Sequence, residues 1–275
     1  MILEDIIPST APEENVVSVP RVSKWLVRLF GRYVFRYMRR SFHAVRISRG
    51  ANARPSPDLP TIIYINHPSW WDPLFCIVIA LKLFPDRNHF APMDAAALKR
   101  YKFFGRLGFF GVKPDSMSGA RAFLRTGQAI LSQSNAMLWV TPQGRFADPR
   151  VRPVSFRPGL GHLVHRTPRC ALMPIAIEYP FWEERFPEAL ARCGEVVFKD
   201  RESAETPEQW TGLLERKLEN AQKTLADDCM QRNREIFETL LQGRAGVGGI
   251  YDFWRSIGAR LRGRAFRAEH GESSP

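Results

Sequence analysis

Residues 66–72 read Asn66-His67-Pro68-Ser69-Trp70-Trp71-Asp72 and follow directly on a short apolar run, Thr61 to Ile65. A histidine at a strand end with an aspartate five positions on can form a general base. Imidazole takes up a proton near neutral pH. The carboxylate can accept the other ring N–H, which fixes the tautomer and steadies the positive charge that forms. Pro68 and Pro73 keep the segment from being plain helix, so the chain can turn His67 and Asp72 toward each other. Such a base removes a proton from a hydroxyl. The same residues also suit an ordinary strand-end turn, with Asn66 as a cap and Asp72 opening the next helix.

A second polar segment, Thr141-Pro142-Gln143-Gly144-Arg145-Phe146, also follows an apolar run, Ala136 to Val140. Turns that end two parallel strands meet at one edge of a sheet, where α/β proteins keep their sites. Arg150, Arg152 and Arg157 come next, ahead of Gly159 at a helix start. Arginines beside a helix N-terminus suit an anion such as phosphate. Each arginine taken singly also reads as part of a solvated basic loop.

These turns need strands and helices to position them. Short apolar strands are predicted at 61–65, 89–93, 107–112, 136–140, 171–178 and 195–198. Helices are predicted at 73–84, 95–103, 118–133 with Ser118 as N-cap, 159–166, 207–226, 228–242 and 249–267. Four prolines, Pro142, Pro149, Pro153 and Pro158, hold 142–158 as loop. Strands separated by helices argue for an α/β fold with a central, largely parallel sheet flanked by helices.

Charge is concentrated toward the two ends. Residues 21–49 hold nine basic residues and no acid, and residues 255–267 hold five arginines and no acid. Set against a net charge of +12, those fourteen positive charges leave the remainder of the chain at −2. Residues 21–47 read as one helix with Arg21, Arg28, Arg32, Arg36, Arg39 and Arg46 on one side. Leu26, Leu29, Phe30, Tyr33, Val34, Tyr37 and Met38 fall on the other side. A basic amphipathic helix of this kind lies in the interface of an anionic membrane; packing by its apolar side on a core is the plainer alternative. The organisation is then a loose acidic tail at 1–20, a basic interfacial helix at 21–50, an α/β domain at 55–245 and a basic helix and tail at 246–275. The four cysteines have no metal-ligand spacing and fit reduced thiols, and no metal is expected. Basic residues beside apolar stripes, with no recognition motif, argue against a nucleic-acid partner. The longest apolar run, Leu74 to Leu81, is far short of the ~20 residues of a membrane span.

The motifs taken together resemble a family. The Asn-His-x-x-x-x-Asp of 66–72 is similar to the first block of the glycerolipid acyltransferases, the lysophosphatidate acyltransferase-like group. Thr141-Pro142-Gln143-Gly144 resembles their third block, Phe-Pro-Glu-Gly-Thr-Arg, with Gln143 in place of glutamate and Arg145-Phe146 in place of Thr-Arg. Phe156-Arg157-Pro158-Gly159 resembles the Phe-Lys-x-Gly that follows, and Met173-Pro174-Ile175-Ala176 the fourth block. Gly108 to Lys113 is the nearest match to the second block, with Lys113 where an arginine is usual.

The resemblance implies an O-acyltransferase of membrane phospholipid biosynthesis. It would move a fatty acyl group from acyl-CoA or acyl carrier protein to a hydroxyl of a lysolipid such as 1-acyl-glycerol-3-phosphate. His67 would be the base and Asp72 its partner, and Lys113, Gln143, Gly144, Arg145 and Arg157 would bind substrate. The thioester is a co-substrate, and no cofactor is implied. Its place is the cytoplasmic face of a membrane, held peripherally. Two alternatives are a lipid acceptor without phosphate and a non-catalytic lipid-binding protein on the same fold. Trp70 and Trp71 would line an acyl tunnel, sit at the membrane interface or pack in the core.

Overall fold

The computed structural model describes residues 19–50 and 55–246. Its strands are β1 (Ala44–Ser48), β2 (Thr61–Ile65), β3 (Asn88–Asp94), β4 (Phe109–Val112) and β5 (Ala136–Val140), then β6 (Cys170–Glu178), β7 (Glu188–Cys193), β8 (Val197–Lys199) and β9 (Phe237–Gln242). The helices are α1 (Lys24–Ser41), α2 (Asp72–Leu83), α3 (Ala95–Arg100), α4 (Met117–Leu131), α5 (Gly159–Arg166) and α6 (Pro207–Gln231). The strands form one nine-stranded sheet in the order β4-β3-β5-β2-β6-β7-β1-β9, with β8 against β6. β4, β3, β5, β2 and β6 all run parallel, so their C-terminal ends share one edge. β7 turns back antiparallel to β6, β1 runs parallel to β7, and β9 is antiparallel to β1.

Both faces of the central strands are covered, which is why β2, β5 and β6 read as continuous apolar runs rather than alternating ones. Ile63, Ile65, Met137, Trp139, Met173 and Ile175 pack with α1 and α2. Ile62, Tyr64, Leu138, Val140 and Leu172 pack on the other face with α4, α5 and α6. The period of two along each strand divides one sequence between two cores. α1 crosses α2 closely at Gly31, where an added Cβ would stand 2.5 Å from Leu81 Cδ1.

The α/β architecture with a largely parallel sheet is as the sequence predicts. β2, β5 and α5 match residue for residue, and 142–158 is loop apart from short turns. Four differences stand out. The helix predicted over 21–47 ends at Ser41, because Phe42 turns extended at φ −124°, ψ 154°, and the following residues become β1. Arg46, placed on the charged face of that helix, is instead buried in β1 against Glu188. The sheet therefore recruits residues well before 55. A second difference is the helix predicted at 228–242. α6 continues to Gln231, Arg232 ends it in the left-handed region at φ 51°, and 237–242 is β9 against β1. Third, β7 has no counterpart in the predicted elements. Fourth, the cap of α4 is Ser116, not Ser118, and the strand predicted at 107–112 begins only at Phe109, after a 3-10 helix at Lys102–Leu107. The basic helix predicted at 249–267 lies outside the described residues, as does most of the predicted acidic tail.

Candidate active site

β2 delivers His67 to the shared C-terminal edge, and the prolines on either side of the turn shape its return into α2. Asp72 is the first residue of α2, where a negative charge complements the positive end of the helix. His67 Nδ1 lies 2.5 Å from Asp72 Oδ2. A carboxylate accepts, so Nδ1 carries the proton and Nε2 keeps its lone pair. Asp72 is 1% exposed and His67 19%. The backbone N–H of Ser69 donates to the same Oδ2 at 3.1 Å, and the Tyr179 hydroxyl donates to Oδ1 at 2.7 Å.

The turn after β5 grips the backbone of His67 from both sides. The His67 N–H donates to Gln143 Oε1 at 3.0 Å, and Ala147 N–H donates to the His67 carbonyl at 2.9 Å. Gln143, expected to bind substrate, has its side-chain oxygen on the His67 backbone and so holds this turn. Phe146 lays its ring on the imidazole with centroids 4.4 Å apart. Gly144 has φ 65°, and an added Cβ would stand 2.3 Å from Arg157 Nε. That bare turn lets the Arg157 side chain cross it and pair with Asp115 at 2.6 Å. Asp115 sits two residues beyond Lys113, so the loop after β4 and the Phe156–Gly159 segment are tied at one edge.

Among the other expected anion ligands, Arg150 is bound to Asp148 and Arg152 to backbone carbonyls. Lys113 and Arg145 are exposed and form no ion pair among the described residues. Two backbone donors of these turns are engaged within the protein: Gly144 N–H bonds Thr141 O, and Ser69 N–H bonds Asp72. His67, Asp72, Gln143, Gly144 and Arg157 are brought together, while Lys113 and Arg145 stand on loops of the same edge.

Two residues were beyond sequence reasoning. Tyr179 reaches Asp72 from 107 positions away. Asn66, read as a turn cap, is fully buried and clamps Ile177, taking its N–H at 2.8 Å and giving to its carbonyl at 2.9 Å. Only the burial-type strand before it signalled a role beyond a cap.

A cavity of about 210 Å³ lies against the pair. Its wall is largely apolar and follows α2 from Asp72 past Cys76 and Ile77 to Ala80, about 12 Å of helix at 1.5 Å per residue. At the far end His89 donates from Nε2 to Phe84 O at 2.9 Å and accepts from Trp139 Nε1 at 3.1 Å. Burial is the main cause that pushes the His89 imidazole down to about 4, so it stays neutral. Burial, then the Asp72 charge, pushes the Cys76 thiol up, so it too is neutral. Among the described residues no group of three or more metal-ligating side chains comes together.

A half-buried histidine with a buried carboxylate on one ring nitrogen, set at a sheet edge beside a largely apolar cavity, can activate a hydroxyl next to an apolar chain. No curated protein matches the chain. The model of the acyltransferase family matches residues 44–178, a span that runs from β1 to the last residue of β6 and contains both turns, so this part of the chain is an acyltransferase domain of the glycerolipid acyltransferase family.

Proposed function

We propose that this acyltransferase moves a fatty acyl group from acyl-CoA or acyl carrier protein to a hydroxyl of a lysolipid such as 1-acyl-glycerol-3-phosphate, as a step of membrane phospholipid biosynthesis. The observation that carries the reading is the His67–Asp72 pair opening on an apolar cavity that suits an alkyl chain. Each methylene buried there contributes about 0.8 kcal/mol to binding. His67 Nε2 takes the proton of the acceptor hydroxyl as its oxygen attacks the thioester carbonyl. The tetrahedral intermediate collapses, the C–S bond breaks, and the imidazolium returns its proton to the departing thiolate. A positioned base of this kind contributes about 10²–10⁴-fold, and holding both substrates in place adds to it.

Lys113 and Arg145 are the exposed cations suited to the acceptor's phosphate. Each is a single charge on a mobile stem, and Arg157 already has Asp115 as partner. That pairing favours, as a second reading, an acceptor whose head group carries no phosphate.

Membrane attachment is proposed through α1. Trp25, Leu29 and Tyr33 are 69%, 49% and 59% exposed on one ridge of it. Lys24, Arg28, Arg32, Arg36, Arg39 and Arg40 are exposed beside them. Rings in contact run from Phe103 through Phe30, Tyr33, Tyr37 and Trp71 to Trp70, which lies inside the catalytic turn. An aromatic and cationic belt of this kind suits the interface of an anionic leaflet such as the cytoplasmic one. No helix among the described residues is long and apolar enough to cross a membrane, which favours a peripheral attachment.

The test is purified protein with labelled acyl-CoA or acyl carrier protein and a panel of lysolipids, followed by thiol release and product mass. Transfer to a phosphate-bearing lysolipid supports the main reading, and transfer only to neutral lysolipids supports the second. Vesicle binding without thiol release from any pair would leave a lipid-binding protein.

A further inference from the structure

The Asp72 carboxylate has two oxygens, and only one of them faces His67. Oδ2 accepts from His67 Nδ1 and from Ser69 N–H, whereas Oδ1 accepts the Tyr179 hydroxyl at 2.7 Å. With Asp72 1% exposed, water does not compete for either oxygen. Tyr179 follows directly on β6, and two fixtures aim it. Its ring packs on Phe42 and Phe75, with centroids 5.6 Å and 5.9 Å away. Two residues before it, Ile177 is clamped on both backbone groups by Asn66, the residue that precedes His67. One strand end therefore carries the base, the neighbouring strand end carries the tyrosine, and Asp72 is held between them. The groups that face Asp72 are His67 from the β2 turn, Tyr179 from β6 and Cys76 from α2. Burial first, then the charge of Asp72 and the hydrogen bond to it, hold the phenol protonated well above its ordinary range, so it acts as a donor.

We propose that Tyr179 is a positioning residue of the transfer reaction, whose hydroxyl anchors one oxygen of Asp72 so that the other stays in line with His67 Nδ1. The proposal rests on the assignment of His67 as base. A tyrosine that merely filled space would be replaceable by phenylalanine without cost, so the hydroxyl is the atom to test.

Tyr179→Phe keeps the ring and removes the hydroxyl. Loss of a hydrogen bond to a charged group at this site is expected to lower kcat about tenfold, with KM for both substrates within about twofold. With one donor fewer, Asp72 holds the proton of the pair more firmly, so the acid limb of the kcat/KM profile moves to higher pH. The NMR titration of the His67 ring moves the same way. Phe75→Leu disturbs the same ring packing without touching the hydroxyl; it is expected to lower the melting temperature and leave the profile in place. In an Asp72→Asn background, Tyr179→Phe is expected to cost nothing further in kcat. A Tyr179→Phe enzyme with wild-type kcat and an unmoved profile overturns the proposal, as does Phe75→Leu reproducing the shift or full additivity with Asp72→Asn. The NMR readout needs no substrate. If the wild-type protein transfers no acyl group, a moved His67 titration still upholds the Tyr179–Asp72–His67 link while the reaction assignment fails, and an unmoved one overturns the link itself.

Discussion

Among the described residues two histidine–carboxylate pairs are tied to the sheet, and they have opposite characters. His67 and Asp72 stand 2.5 Å apart at the C-terminal edge of the parallel strands, in a ring that is partly exposed and lines a cavity. His43 and Glu188 stand 3.7 Å apart where β1 and β7 begin, both essentially without exposure. The second pair is part of a ladder: Arg46 reaches Glu188 at 3.1 Å and also the Thr239 hydroxyl on β9, and His43 Nδ1 bonds the Arg244 carbonyl. Burial pushes the Glu188 carboxyl up, against the opposing pull of Arg46 and His43. Neither pair gives its Nε2 a hydrogen-bond partner among the described residues, but that of His43 is sealed inside the protein whereas the His67 ring borders the cavity. A histidine beside an acid is thus not a site in itself. What makes one is a free nitrogen and a space in which something can meet it.

The largest expected effect breaks the first pair. His67→Ala should lower acyl transfer about 10³-fold while leaving the melting temperature within about 2 °C of wild type, because the ring contributes chemistry more than packing. His43→Ala should do the reverse, with transfer per folded molecule unchanged and a lower melting temperature. Steady-state rates and thermal melts on both variants decide it; equal loss of activity in the two would erase the distinction drawn above.

The next effect tests the second pair as a structural tie. Glu188→Ala leaves the Arg46 guanidinium, 7% exposed, without its carboxylate. Removing one partner of such a pair costs about 3–5 kcal/mol. Urea unfolding should therefore show a large drop in midpoint, with kcat preserved in whatever fraction remains folded. A midpoint unchanged within error would show that Arg46 finds another partner and that the β1–β7–β9 end does not depend on this ladder.

A third histidine sharpens the comparison from within the cavity. His89 lies beside the same apolar space as His67 yet has both nitrogens engaged. Its folded value of about 4 lies below the ordinary 6.5, so the folded protein binds this proton less readily than the unfolded chain. Its contribution to stability is then fully present above pH 6.5 and is lost as pH falls toward 4; the full shift corresponds to about 3 kcal/mol. His89→Gln should flatten that part of the stability–pH curve measured by urea midpoints. Parallel curves for variant and wild type would assign the acid sensitivity elsewhere.

These contrasts also explain what the sequence made legible. β2, β5 and α5 were readable to the residue because β2 and β5 are apolar on both faces and α5 starts after Pro158. β1 and β7 escape a sequence reading because their buried positions include Arg46, Ser48 and Glu188, residue types that read as surface until their partners are known, and β9 escapes it because its buried Phe237, Leu240 and Leu241 also have the spacing of a helical face. Arg46 fitted a helical stripe and turned out to be interior. In the site, His67 and Asp72 were visible through local spacing, and the Gln143 turn through its place after an apolar strand. Tyr179 and the Asn66 clamp were not visible, since each acts across more than a hundred residues and depends on β6 lying beside β2, which spacing alone does not state.

The smallest expected effect concerns the arginines that stayed outside. The segment 21–49 was one basic block in the sequence, but the fold divides it: Arg46 is committed to Glu188, while Arg32 and Arg36 on α1 remain exposed beside Tyr33. Only the exposed set is available to a lipid headgroup. Each such charge contributes about 1 kcal/mol at an anionic surface, so Arg32→Gln with Arg36→Gln should weaken binding to phosphatidylserine-containing vesicles about 30-fold. The loss should shrink as salt rises, because screening removes the same interaction. Transfer to a lysolipid presented below its micellar concentration should be unchanged, since neither arginine touches the His67–Asp72 pair. If the double variant binds neutral and anionic vesicles as the wild type does, the aromatic ridge of Trp25, Leu29 and Tyr33 would have to hold the membrane by apolar contact alone, and the division between inner and outer arginines would matter to the fold but not to attachment.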